Sequence, residues 1–79
     1  MTLEAKLIEE IKKWTSKLDG ALSAARARSE QGEKMFSNIK AYRGDSEHFL
    51  KQGDLIKSFE CLIWAWSLFE ICKELKHLE

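Results

Sequence analysis

Large apolar residues recur along this chain at alternating intervals of four and three, the spacing that collects side chains on one face of an α-helix. In the first segment the stripe is Leu7, Ile11, Trp14, Leu18, Ala21 and Ala25. Thr2 stands where an N-cap is needed and Glu4 lies in the first turn, where the helix dipole favours a carboxylate. This predicts a helix over about residues 3–27, with Gly20 costing it about 1 kcal/mol relative to Ala. Residues 26–32 lack a large apolar side chain and form a connection, with Ser29 as a candidate N-cap. An alternative lets the helix run on and places the turn at Gly32.

The second stripe is Met35, Ile39, Tyr42, Ser46 and Phe49, flanked by Phe36 and Leu50, and predicts a helix over about 30–52. Gly53 suits the left-handed position that closes a helix, and Asp54 suits the N-cap of the next. Gly53-Asp54 is therefore read as a tight turn between antiparallel helices. The third segment, about 55–78, carries two stripes. One is Leu55, Phe59, Leu62, Trp66 and Phe69; the other is Cys61, Trp64, Leu68, Cys72 and Leu75. Glu60, Ser67, Glu70 and Glu74 are left for the polar sector. The expected fold is all-α: one antiparallel, up-down-up three-helix bundle over residues 1–79. Its expected core is Leu7, Ile11, Trp14, Leu18, Met35, Ile39, Tyr42, Phe49, Leu55, Phe59, Leu62, Trp66 and Phe69.

Composition narrows the class. The 79 residues are 44% hydrophobic and 33% charged, with thirteen basic and thirteen acidic side chains. The apolar share excludes a disordered chain. Zero net charge provides no overall field towards nucleic acid or an anionic membrane. Absence of Pro favours helices, and absence of Val with no period-2 alternation argues against strands. The amphipathic start is not a signal peptide. The most apolar run, Cys61 to Phe69, is about half of what spans a bilayer. These features lead to the expectation of a cytoplasmic protein without a cofactor.

The stretch from Tyr42 to Asp54, continuing through Ser58 to Trp64-Ala65, resembles the archaeal family of unknown function DUF357. Tyr42, Asp45, Phe49, Gly53, Asp54, Ala65 and Glu70 stand as in that family's pattern. Ser46 and Ser58 occupy positions where Ala is usual, and Trp64 one where Tyr is usual. Trp66-Ser67 replaces a common His-Gly pair. The resemblance covers about residues 42–70. It implies a three-helix bundle and an archaeal, cytosolic origin, with no established activity attached.

No catalytic constellation stands out. Arg43 and His48 have the Arg-x4-His spacing of HEPN ribonucleases, where Arg binds phosphate and His moves a proton. On one helix a separation of five turns the two side chains about 140° apart, so a solvated face is the simpler reading. Arg43-Gly44-Asp45 spells an adhesion tripeptide but lies within a helical pattern rather than a loop. Cys61 and Cys72 are separated by about 16 Å of helix rise, too far to bond to each other. His77 adds no metal-ligand spacing. The aromatic residues lack the basic groove that base stacking requires; core packing or a groove for a partner's helix fits them better. Basic residues near the first turn are interspersed with acidic ones, which argues against a nucleic-acid patch.

The third segment has more apolar surface than two neighbouring helices ordinarily cover. We therefore expect a non-enzymatic interaction module, self-associating or binding a protein partner. Its candidate interface is Cys61, Trp64, Leu68, Cys72 and Leu75. The competing reading is a nucleic-acid-binding or HEPN-like RNA-processing domain using Arg43 and His48.

Overall fold

A computed structural model describes residues 1–79. Three helices follow one another: α1 (Leu3–Ala24), α2 (Glu30–Lys51) and α3 (Leu55–Glu74). Each begins where the sequence supplies an oxygen for an unpaired backbone donor. Thr2 Oγ1 accepts from the Ala5 N–H at 3.0 Å, Ser29 Oγ from Gly32 at 3.0 Å and Asp54 Oδ1 from Lys57 at 3.2 Å. At the end of α2, Gly53 takes φ +80°. Its N–H donates to the Leu50 carbonyl (3.1 Å) and the Asp54 N–H to the Phe49 carbonyl (2.9 Å). This paired closure is the Schellman arrangement, and it delivers the chain directly to the Asp54 cap.

The packing is up-down-up. Ser46 of α2 faces Ser58 of α3, and Tyr42 faces Trp64, so those two helices run antiparallel. Trp14 of α1 meets Trp66 of α3. Asp19 of α1 meets Arg43 of α2. The body measures 43 × 18 × 17 Å. Helix α3 is the common partner: α2 packs along it, α1 packs against it less extensively, and α1 and α2 barely approach each other. Where they do, the Arg43 guanidinium grips the Asp19 carboxylate through two hydrogen bonds of 2.8 Å.

The buried core is Ile11, Leu18, Ile39, Leu62, Ala65, Phe69, Cys72 and Leu78. Leu7, Met35, Leu55, Phe59 and Trp66 pack against it half-buried, as the stripes led us to expect. Phe49, also expected in the core, is half-buried outside it, and Trp14 and Tyr42 differ further from expectation. These two lie at the surface, 38% and 36% exposed. Trp14 donates its Nε1–H to Glu10 (3.0 Å), and Trp66 donates to the Trp14 carbonyl (3.2 Å). An indole with a polar tip satisfies that tip at the edge of the bundle rather than inside it.

Two helix ends differ from the expected 27 and 78. Helix α3 stops at Glu74, because Lys76 adopts φ +63° and repeats the closure seen at Gly53. Here Lys76 N–H donates to Lys73 (2.9 Å) and His77 N–H to Cys72 (3.0 Å). The last residues then lie antiparallel to residues 26–28, which are extended rather than helical. Arg26 and Glu79 exchange backbone hydrogen bonds of 2.8 and 2.9 Å, and Arg28 N–H donates to His77 at 2.8 Å. Leu78 thereby enters the core instead of continuing a helix. Gly32 is where this strap crosses α2. A Cβ there would collide with the His77 carbonyl oxygen, so glycine is required for close approach rather than for a turn.

Candidate functional site

Helix α3 is apolar around most of its circumference, and the bundle covers only part of it. At about 100° per residue, Ser58, Leu62, Ala65, Phe69 and Cys72 share the inner face, and all five are buried. Lys57, Cys61, Trp64 and Leu68 border α2; Phe59, Trp66 and Lys73 border α1. The remaining sector, directed away from both helices, holds Ile56, Glu60, Ile63, Ser67, Glu70, Ile71 and Glu74, every one of them exposed. Ile56 is 70% exposed, Ile63 48% and Ile71 49%; Trp64 and Leu75, at its α2 edge, are 57% and 60% exposed.

This outward face differs from the interface expected from sequence. Of the five candidate residues, Trp64 and Leu75 are exposed as expected. Trp64 lies against the Tyr42 ring of α2, centroids 6.3 Å apart and planes within 21°. Cys61 and Leu68 are half-buried, and Leu68 packs against the core. Cys72 is fully buried and belongs to the core, not to an interface. The stripe Cys61, Trp64, Leu68, Cys72 and Leu75 runs along the α2 border, from the core out to solvent. Ile56, Ile63 and Ile71 were missed because they lie among Glu60, Ser67 and Glu74, in what reads as the polar sector. Their β-branched bulk at intervals of seven and eight was the available signal. Gly53 and Asp54 form the helix turn as expected.

All ionisable groups in the outward sector are carboxylates. The two lysines of α3 are turned aside: Lys57 Nζ lies 5.5 Å from the centre of the Phe49 ring and Lys73 Nζ 5.4 Å from that of Phe69. On the α1 side the face continues into an apolar depression of about 200 Å³, lined by Trp14, Phe59, Leu62, Ile63, Trp66 and Ser67. Of these, Trp14 and Trp66 meet edge to face with centroids 5.9 Å apart, and Trp66 in turn meets Phe69 behind the wall at 6.0 Å.

The Arg43 and His48 reading finds no assembled site. Arg43 bonds Asp19 on α1 and, through Nη1, Glu47 at 2.9 Å. The Asp19 hydrogen bonds hold its guanidinium charged and hold the Asp19 carboxyl below its ordinary range. An arginine held by two carboxylates has few donors left for phosphate. His48 is exposed, edge-on to Phe49. Arg43-Gly44-Asp45 lies in the middle of α2, not in a loop. Burial raises both thiols above the ordinary cysteine value, and the charges of Asp45 and Glu60 raise Cys61 further. Neither is therefore an activated thiolate at neutral pH. No three His, Cys, Asp or Glu side chains come together as a metal site. No helix is long and apolar enough to cross a membrane.

Comparison with known proteins agrees with the bundle. No curated protein matches. The crystal structure of protein AF1782 from Archaeoglobus fulgidus, a DUF357 protein, superposes with a TM-score of 0.88 at 36% sequence identity, covering 99% of this chain and 97% of that one. The family model described as "Protein of unknown function (DUF357)" matches residues 8–78. With that extent of match in sequence and in fold, the chain belongs to the DUF357 family.

Proposed function

We propose that this chain is a non-enzymatic protein-interaction module whose docking surface is the outward face of α3. The observation that carries the reading is the exposure of Ile56, Ile63, Ile71 and Trp64 on one side of one helix. Isolated exposed apolar residues are ordinary, whereas several large ones gathered on one helix face often mark a binding surface. Removing such a row from water would release about 25 cal/mol for each Å² buried. The adjoining depression and the Trp64–Tyr42 stack add the pocket and the aromatic anchor that strong interfaces use. The commitment of Arg43 to Asp19 and Glu47, and the raised thiols, favour binding over catalysis.

The test is a pair of variants, Ile63→Asp and Ile71→Asp. Both sites are solvent-exposed, so each variant should keep the helical circular dichroism and a melting temperature within a few degrees of the parent. Proteins retained by the immobilised parent from an extract of the source organism should be lost on the variants. A concentration-dependent dimer seen by sedimentation should likewise dissociate. A strictly monomeric parent that retains nothing the variants do not also retain overturns the reading.

A further inference from the structure

The placement of charge on the docking face points to the kind of partner it takes. Along the midline of the outward sector run Ile56, Glu60, Ile63, Ser67, Ile71 and Glu74, at spacings of four, three, four, four and three. This is the seam along which a second helix would lie. Carboxylates occupy the seam itself, not its rim, with Glu70 beside it and Lys57 and Lys73 folded away onto Phe49 and Phe69. A second copy of the chain is a poor occupant in its two simplest registers, in which identical or symmetry-equivalent seam positions meet. Packed antiparallel about Ser67, the register that brings Ile63 against Ile71 also brings Glu60 against Glu74, because both glutamates lie seven residues from Ser67. Packed parallel in register, each glutamate meets its own equivalent. Like charges directly opposed and desolvated in a helix–helix seam are repulsive in both of these registers.

We infer that the occupant is an amphipathic helix of another protein that alternates apolar residues with Lys or Arg. Its basic positions come opposite Glu60 and Glu74, fourteen residues apart, or about 21 Å along a helix. Its apolar positions between them meet Ile63 and Ile71, and one reaches the depression beside Trp14 and Trp66. Opposed charges across the seam supply orientation and register, and the isoleucines supply the burial. The inference rests on the outward face of α3 being the docking surface.

The test uses two synthetic helical peptides with one leucine stripe, carrying either Lys or Glu at two positions fourteen residues apart. Each is titrated calorimetrically into the intact chain at low and at physiological salt. The Lys peptide should bind at least about ten times more tightly, about 1.4 kcal/mol, with an affinity that falls as salt rises. The double variant Glu60→Lys, Glu74→Lys should reverse the preference. Ile63→Ser, which leaves every charge in place, should weaken the Lys peptide by a similar factor and so exclude mere attraction to an acidic surface. Equal binding of both peptides, or a parent dimer that Ile63→Ser dissociates, overturns the basic-helix inference while leaving the face as an interface. Failure of both peptides to bind a parent that is also monomeric overturns the face and the inference together.

Discussion

The inner and outer faces of α3 use similar residue types for opposite purposes. Leu62 and Ile63 are chain neighbours of equal size, yet Leu62 is 1% exposed and Ile63 48%. The inner face is the smaller-featured of the two. It contains Ser58, Ala65 and Cys72 beside Leu62 and Phe69, whereas the outer face carries three isoleucines beside Trp64. Close approach of helix backbones requires small side chains, and it is close approach that removes residues from water. Bulk alone therefore says little about which face is buried. Helix α3 lies over α2 with small residues beside Leu62 and Phe69, and its three isoleucines stay exposed on the far side.

The sharpest way to break this contrast is to truncate the two neighbours in turn. Leu62→Ala should destabilise the bundle by about 2–5 kcal/mol, from lost burial and the cavity left behind. In a domain this small that is a fall in melting temperature of about 10 °C or more. Ile63→Ala should lie within about 0.5 kcal/mol of the parent, because the residue is half in water and Ala is the better helix former. Thermal and urea melts of both variants decide the matter. Equal losses would mean that the outer face is buried in the native particle, as it would be in an obligate dimer.

A smaller effect probes the inner face alone. Ser46 Oγ donates to the Ser58 carbonyl and Ser58 Oγ donates to the Ser46 carbonyl, each at 2.8 Å, with the two hydroxyls 3.2 Å apart. Both side chains are buried, and every buried side-chain polar atom has a partner. Replacing either by Ala should cost about 0.5–1.5 kcal/mol, the worth of one hydrogen bond. The double replacement should cost less than the two singles together by about 0.5 kcal/mol or more, since two facing methyl groups pack as an apolar contact. A double-mutant cycle by urea denaturation measures that coupling, and strict additivity would mean that the hydroxyls act independently.

The serine pair also shows where the sequence could be read and where it could not. The resemblance placed Ala at both positions in the family pattern, and the structure explains why they belong together: they touch. The helix starts at Thr2, Ser29 and Asp54 and the turn at Gly53 were legible because capping is local chemistry with few residue choices. The other end of the bundle was not. Lys76 gives no stop signal, yet it closes α3 as Gly53 closes α2, because Leu78 gains the core and His77 and Glu79 gain backbone partners on residues 26–28. Those are long-range gains, invisible to any window of local pattern. Gly32 read as a possible turn for the same reason: the contact that demands glycine comes from 45 residues away. The candidate face was legible only in part: Trp64 and Leu75 are exposed, whereas Cys72 is buried. Grouping by bulk at helical spacing found an apolar surplus on α3, which is real. It assigned the surplus to the stripe nearest α2, because angular position on a helix does not reveal which sector its neighbours occupy.

The two cysteines compare a half-buried position at the α2 border with a fully buried one, and they should differ in kinetics rather than in stability. Cys72 has no exposed surface, so a thiol reagent should reach it only when the bundle opens; Cys61 is half-buried and should react in the folded state. Burial raises both thiols, and Asp45 and Glu60 raise Cys61 further, so at neutral pH less thiolate is present than on a free cysteine. Native labelling of Cys61 should accordingly be slower than that of a model thiol and should approach it as pH rises towards the raised value. The sign for stability follows: the fold favours the protonated thiols, so their contribution is intact below the ordinary cysteine range and declines as pH climbs through the raised values. Mass spectrometry after timed labelling separates the two sites. If Cys72 is modified as quickly as Cys61 in the absence of denaturant, the inner face opens as readily as the helix border, and the distinction between a closed core and an available outer surface on α3 fails.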